Sequence, residues 1–141
     1  MDVNDLINLN SLDQEKEITK AIIETEEQLS GLTKEQTCLI YSSYLNNNLK
    51  KHHIISRIIN TKDLDCSYEH QFNLVPIDNK NYYLLDLNYE QFHNDDFPKL
   101  NENGYMKVND ISFQLYLTIV GKDTKNITLE EAFYETERKI K

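Results

Sequence analysis

The segment from His70 to Leu87 limits the possible folds more than any other part of the chain. Residues 70–77 alternate in polarity, and residues 82–87 resume a β pattern rich in large apolar side chains. Between them, the sequence DNKN supplies the residue types that favour a turn. This order predicts an antiparallel β-hairpin, and a hairpin of this kind requires further elements to cover it.

Two amphipathic helices are predicted before the hairpin, over about 12–30 and about 34–50. Each follows the spacing of a capping box, SLDQ from Ser11 and TKEQ from Thr33. The second helix carries Cys38 in its first turns and on its inward face. Backbone N–H groups and the positive end of the helix dipole favour a thiolate at such a position.

The other elements complete an α+β fold. They are predicted, in chain order, as a strand over 53–59, an irregular connection over 93–108, a helix over 109–120 and a helix from a capping box at Thr128 to the C-terminus. Four residues of the helix over 109–120 would face inward, namely Phe113, Tyr116, Leu117 and Val120. The N-terminal helices would then pack on a small antiparallel sheet of about three strands, and the C-terminal helices would complete the core. A fourth strand has two alternative places, 104–108 and 113–119.

Length and charge narrow the classes of protein that the chain can belong to. Its 141 residues fit one domain over 1–141, and 39% hydrophobic residues permit a buried core. A net charge of -9 repels phosphate backbones and anionic lipids, which disfavours nucleic-acid and membrane-surface roles. No apolar run reaches the roughly 20 residues that span a bilayer, and the N-terminus lacks the features of a Sec signal. We expect a cytoplasmic protein, or one exported by a route without a Sec signal, and the oligomeric state stays open.

Three residues have the chemistry of a nucleophilic acyl-transfer site. Cys38 would attack a carbonyl as the thiolate, and His70, at the start of the hairpin, would take the thiol proton. Asp86, in the second strand of the hairpin, would hold the imidazole in the required tautomer. A free backbone N–H at Cys38 would donate a hydrogen bond to the developing oxyanion.

Structural roles are the alternatives for the same three residues. Cysteine is among the most buried residue types, so Cys38 fits a core position on its apolar stripe. His70 fits a structural histidine at a strand entrance, and Asp86 fits a turn or strand end. However, a carboxylate among apolar neighbours is costly to bury without a partner, and His70 is a candidate for that partner.

The register of the hairpin decides whether His70 and Asp86 can meet. A turn centred between Asn79 and Lys80 would place Asp86 opposite Asn73, with His70 on the other face of the sheet, because side chains alternate along a strand. A loop with an odd number of residues, or a bulge near the proline of the first strand, would bring the two onto one face. Both registers are compatible with the sequence.

The chain also resembles a known superfamily at these residues. A cysteine that heads a helix, a His-x-Phe strand and the segment 82–92 (YYLLDLNYEQF) are similar to the transglutaminase-like branch of the papain-like superfamily. Within it, the chain looks most like small bacterial cysteine proteases and toxin or effector glutamine deamidases. The resemblance implies a papain-like or transglutaminase-like core with a catalytic triad at Cys38, His70 and Asp86. Gln36 is the candidate for a further oxyanion contact, and Gln91 is the candidate for a substrate contact.

The resemblance implies an enzyme that acts on a protein or peptide amide, with deamidation of glutamine or a transglutaminase-like reaction first and a cysteine peptidase as the alternative. A non-catalytic acidic binding or inhibitor protein would explain the charge of -9 without any triad. A decayed relative that keeps the fold for binding is a third possibility. No cofactor is implied, and Cys66 with His70 lacks two further ligands for a zinc site.

Overall fold

A computed structural model of the protein describes residues 11–123 and 126–140. In chain order the elements of these ranges are α1 (Ser11–Gln28), α2 (Cys38–Lys51), β1 (Arg57–Asn60), a first 3₁₀ helix (Thr61–Leu64), β2 (Gln71–Pro76), β3 (Tyr82–Leu85), a second 3₁₀ helix (Tyr89–Phe92), α3 (Pro98–Asn103), β4 (Tyr105–Val108), α4 (Asp110–Val120) and α5 (Leu129–Ile140). Across both ranges, no helix combines the length and the apolar character needed to cross a bilayer.

The fold is α+β, as predicted. Four strands form one antiparallel sheet in the order β1-β2-β3-β4, so every strand pairs with its neighbour in the sequence. The N-terminal helices α1 and α2 pack on this sheet, and the C-terminal helices complete the core. The fourth strand is β4, at the first of the two places where it was expected.

The sheet is buried on both faces. On one face, Phe72 and Tyr82 contact rings of α4 and α5, namely Tyr116 and Phe133. On the other face, side chains that include Tyr83 pack against the apolar stripes of α1 and α2. Each fully buried side chain of this size contributes roughly 1.5–3 kcal/mol to folding, so both helical layers are held mainly by apolar burial.

The register of the β2–β3 hairpin places His70 and Asp86 on the same face. Pro76 pairs with Tyr82, so a loop of five residues joins the strands. The same register, continued by one pair beyond the strand end, brings Asp86 opposite Phe72. His70 lies two residues before Phe72, and residues two apart in a strand share a face.

Asp78 stabilises this five-residue loop. Its carboxylate accepts hydrogen bonds from the backbone N–H groups of Lys80 and Asn81, both at 2.8 Å. A turn centred between Asn79 and Lys80 would need an even number of loop residues, so that register is not the one formed. The odd number of loop residues is sufficient to place His70 and Asp86 on one face, and the strand pairing is continuous at Pro76 without a bulge.

The first N-terminal helix lies within two residues of its predicted bounds of about 12–30, whereas the second begins four residues later than predicted. Ser11 is already helical, and the side-chain amide of Gln14 donates to the carbonyl of Pro76 at 3.3 Å. The second helix starts at Cys38 instead of about residue 34, because Gln36 has a φ of 60°. That left-handed conformation does not fit inside a right-handed helix. Cys38 is therefore the first residue of α2.

The segment 93–108 is more regular than predicted. Pro98 and Gly104, which favour a loop, bound the short helix α3 instead. Proline fits the first turn of a helix, and Gly104 ends α3 with a φ of 80°. β4 follows directly, which adds the fourth strand to the sheet.

The predictions for the remaining elements differ in accuracy. The strand predicted over 53–59 is formed only from Arg57 onward, as β1. The helix predicted over 109–120 corresponds to α4, and its four predicted inward residues are all buried (Phe113, Tyr116, Leu117 and Val120). The capping box at Thr128 is confirmed, because its hydroxyl accepts from the N–H of Glu131 and its own N–H donates to the Glu131 carboxylate.

His52 links α1 to α2 at the end of α2. Its Nδ1 lies 2.7 Å from a carboxylate oxygen of Glu17, and its Nε2 is hydrogen-bonded to Glu24. The bond to Glu24 raises the pKa of His52, and Glu17 adds to this effect against the opposing influence of burial. His52 thus joins the two N-terminal helices and helps to hold the helix that begins with Cys38.

Candidate active site

Cys38, His70 and Asp86 meet at the end of the sheet where β2 begins and β3 ends. His70 directly precedes β2, Asp86 directly follows β3, and Cys38 is the first residue of α2. The backbone N–H of Asp86 donates to the carbonyl of Gly104 at 2.9 Å, which ties the aspartate to the start of β4. Three separate elements therefore deliver the residues that the sequence singled out.

His70 and Asp86 form a buried hydrogen-bonded pair. The Nε2 of His70 lies 2.8 Å from Oδ2 of Asp86, and the two residues are only 1% and 2% exposed. The hydroxyl of Tyr116 donates to the same Oδ2 at 2.7 Å, and the backbone N–H of Asn88 donates to Oδ1 at 3.0 Å. Three donors thus stabilise the carboxylate away from water.

This environment favours the imidazolium form of His70. Burial by itself disfavours the charge, but the Asp86 carboxylate and its hydrogen bond outweigh burial, and the bond to Cys38 acts in the same direction. Together these contacts raise the pKa of His70 to about 9. The ring is therefore suited to remain protonated beside a thiolate at neutral pH.

Cys38 is half-buried, and its thiol interacts with the ring of His70, which shifts the pKa of both groups. Burial raises the pKa of the Cys38 thiol, but the bond to His70, the charge on His70 and the backbone N–H of Gln71 lower it. The net effect is a pKa below the ordinary value, although the negative charge of Asp86 opposes it. Since Nε2 of His70 is bonded to Asp86, Nδ1 is the ring nitrogen available to the sulfur.

The backbone around Cys38 contains a donor for an oxyanion. As the first residue of α2, Cys38 has an N–H group without an acceptor inside the helix. The amide is next to the reacting sulfur and at the positive end of the helix dipole. An oxygen that gains negative charge at the attacked carbon would be stabilised there.

A polar network attaches the first turns of α2 to β2. The hydroxyl of Ser42 donates to the carbonyl of Cys38 at 2.7 Å and accepts from the side-chain amide of Gln71 at 2.7 Å. The side chain of Asn73 donates to the carbonyl of Ser42 at 3.0 Å. This network fixes the distance between Cys38 and the strand that follows His70.

The loop before α2 is held by the segment that follows Asp86. The buried side chain of Asn88 donates to the carbonyl of Lys34 at 2.8 Å and to the hydroxyl of Thr37 at 3.1 Å. The structure also brings Gln36 and Gln91 together, since the backbone N–H of Gln36 lies 3.4 Å from the side-chain oxygen of Gln91. Gln36, which lies two residues before Cys38, is thus in contact with Gln91.

Aromatic rings cover the imidazole. The ring of Phe92 contacts His70 nearly perpendicularly, with centroids 4.8 Å apart, and Tyr68 contacts Phe92 with centroids 6.1 Å apart. Phe72 lies on another side of His70, at 6.5 Å. These rings keep water from the His70–Asp86 pair, and they explain why burial acts on the pKa of His70.

Tyr116 and the N–H of Gln71 both contribute to the site, but neither was predicted from the sequence as a site residue. Tyr116 was placed on the inward face of its helix, and a buried tyrosine hydroxyl needs a hydrogen-bond partner, so this position held a clue. The role of Gln71 follows from backbone direction, which residue types do not reveal.

Within the ranges 11–123 and 126–140, no group of three or more His, Cys, Asp and Glu side chains could hold a metal ion. Cys66 is buried away from the triad, beside Gly121.

Comparisons of the chain with models of protein families, with curated proteins and with solved structures found no match. Inferences about its chemistry therefore rest on the geometry of the Cys38–His70–Asp86 site.

Proposed function

We propose that the protein is a cysteine-dependent enzyme that attacks an amide of a protein or peptide, with the side chain of glutamine as its first substrate. One observation carries the proposal: a thiol at the start of a helix interacts with an imidazole that is itself hydrogen-bonded to a buried carboxylate at 2.8 Å. Each group has the position that nucleophilic acyl chemistry requires.

The first half of the reaction forms a thioester. The Cys38 thiolate attacks the carbonyl carbon of the amide, and the oxygen takes up the negative charge beside the N–H of Cys38. The C–N bond then breaks, and the leaving nitrogen takes the proton from Nδ1 of His70. For a glutamine side chain the leaving group is ammonia.

The second half removes the acyl group. Water attacks the thioester, His70 accepts the water proton, and Cys38 leaves as the thiolate, so glutamine has become glutamate. A primary amine in place of water gives a new amide, which is the transglutaminase outcome. A backbone amide as the substrate gives peptide hydrolysis through the same steps, and peptidase activity is therefore the alternative.

The surroundings of Cys38 suit a macromolecular substrate. Leu39 and Ile40 follow the thiol on the first turn of α2 and are 52% and 42% exposed. Exposed apolar side chains beside a reactive group are typical of surfaces that a protein substrate covers. The sequence resemblance to glutamine deamidases, which spans about residues 33–92, adds to this argument.

The test uses an unfolded glutamine-rich protein, with and without a fluorescent primary amine. Ammonia release, amine incorporation and new N-termini are measured in parallel, because the three readouts separate deamidation, transamidation and proteolysis. Cys38→Ser is the inactive variant, and Cys66→Ala is the matched control that keeps the proposed nucleophile.

The expected result is ammonia release that disappears in Cys38→Ser and persists in Cys66→Ala. New N-termini that depend on Cys38 would instead support the peptidase alternative. If none of the three readouts depends on Cys38, and the thiol reacts with iodoacetamide like a free cysteine, the proposal is wrong and a binding protein becomes the better account.

A further inference from the structure

A lysine lies on the aromatic cover of the proposed active site. The Nζ of Lys122 is 5.1 Å from the ring centroid of Phe92 and 5.6 Å from that of Tyr68. Phe92 in turn contacts the ring of His70. The ammonium group is therefore within about 10 Å of the imidazole, a distance that two or three residues of an extended peptide can bridge.

The backbone fixes Lys122 at this position. The N–H of Tyr68 donates to the carbonyl of Gly121 at 3.0 Å, and the hydroxyl of Ser67 donates to Asp123 at 2.7 Å, so both neighbours of Lys122 are attached to the segment before His70. Lys122 itself has a φ of 66°, a conformation that non-glycine residues rarely adopt. The segment of Gly121 also packs tightly against the segment of Cys66, since a Cβ on Gly121 would lie 2.8 Å from the sulfur of Cys66.

The charge of Lys122 is available to a ligand. Among the residues whose side chains the structure describes (13–123 and 126–134), no carboxylate forms an ion pair with Lys122, whereas Lys34 is paired with Glu26 at 2.7 Å. Lys122 is exposed, and the two aromatic rings beneath its ammonium group favour this position of the charge. The chain carries a net charge of -9, so a positive group at this site is an exception to its overall charge.

We propose that Lys122 determines substrate specificity by binding a carboxylate that lies close to the reacting amide. This inference rests on the proposed function, and it names the substrate class as an amide with an acidic group two or three residues away. Tyr68 and Phe92 orient the ammonium group towards that carboxylate, and they contribute apolar contact to the same substrate segment.

The experiment compares two alkylating reagents of almost equal size. Iodoacetate carries a carboxylate and iodoacetamide is neutral, so the ratio of their rates at Cys38 reports the local attraction for an anion. The ratio is measured by mass spectrometry at low ionic strength in the wild-type protein, Lys122→Gln and Lys122→Arg. Lys62→Gln is the matched control, because Lys62 donates to the carbonyl of Ser67 on the same segment without a role in the proposal.

We expect Lys122→Gln to lower the iodoacetate-to-iodoacetamide ratio about twofold, because the exposed unit charge lies about 10 Å from the imidazole that interacts with Cys38. Lys122→Arg and Lys62→Gln should keep the wild-type ratio, and salt near 1 M should abolish the difference. An unchanged ratio in Lys122→Gln, with a Cys38 that still reacts rapidly below pH 8, would overturn the inference alone. A Cys38 that reacts in every variant like a free thiol would overturn the inference together with the proposed function.

Discussion

Replacing Asp86 with asparagine should disable the thiol while leaving the fold in place. Oδ2 of Asp86 accepts from His70 and Tyr116, and Oδ1 accepts from the N–H of Asn88. An asparagine amide can keep its oxygen towards the first two donors. Its NH2 group would then face the N–H of Asn88, so the substitution removes the negative charge and one backbone hydrogen bond without changing the shape of the side chain.

The magnitude follows from the environment of His70. Asp86 holds the pKa of His70 at about 9, against an ordinary 6.5, and this difference corresponds to roughly 3 kcal/mol in favour of the imidazolium. Burial remains when the charge is removed, so the pKa should fall to 6.5 or below. The thiolate–imidazolium pair would then be about a hundredfold less populated near pH 7.

The assay is the rate of Cys38 alkylation by iodoacetamide between pH 5 and pH 10, with buried Cys66 as the internal control. We expect the wild-type protein to react well below pH 8.5 and Asp86→Asn to react only as an ordinary thiol, with a rate at pH 7 lower by roughly tenfold or more. Far-UV and tyrosine near-UV circular dichroism check that the variant is folded. Identical pH profiles in two folded proteins would refute the argument that Asp86 activates Cys38 through His70.

Three further substitutions test other parts of the structure. Tyr116→Phe removes a donor from Asp86 and concentrates its charge on His70, so the pKa of His70, followed by NMR of the imidazole, should rise above about 9, and a fall would contradict this account. His52→Gln removes an imidazolium whose stabilisation is complete below pH 6.5 and is lost as the pH rises through its raised pKa in the folded protein; the difference from wild type in urea unfolding should therefore shrink above pH 6.5 instead of growing. Asp78→Ala removes two backbone hydrogen bonds and the contact with the side-chain amide of Asn81 from the hairpin loop, and should lower the free energy of unfolding by about 1–2 kcal/mol, whereas a change below about 0.3 kcal/mol would mean that the loop does not depend on them.

The residue types of the site could be predicted from the sequence, but its supporting contacts could not. Cys38 on an inward helix face and Asp86 among apolar neighbours are local observations, and each calls for a partner. The start of α2 was missed by four residues because TKEQ has capping-box spacing, whereas Gln36 in fact adopts a left-handed conformation. That conformation depends on contacts of the loop with Gln91 and Asn88, which are more than 50 residues away in the chain.

The hairpin register could not be predicted because β2 and β3 are buried at every position. In a sheet with one exposed face, the alternation of polar and apolar residues selects one register, since a slip by one residue would expose the core. Here both faces are covered by helices, so apolar side chains are buried in either register. Hydrophobic burial therefore distinguishes the two registers less strongly than in a sheet with one exposed face. The number of residues in the loop that Asp78 holds decides the matter instead, and one residue fewer would place Asp86 and His70 on opposite faces. The geometry of the proposed site therefore depends on a loop at the far end of the hairpin, which makes the length of that loop a feature that function would constrain.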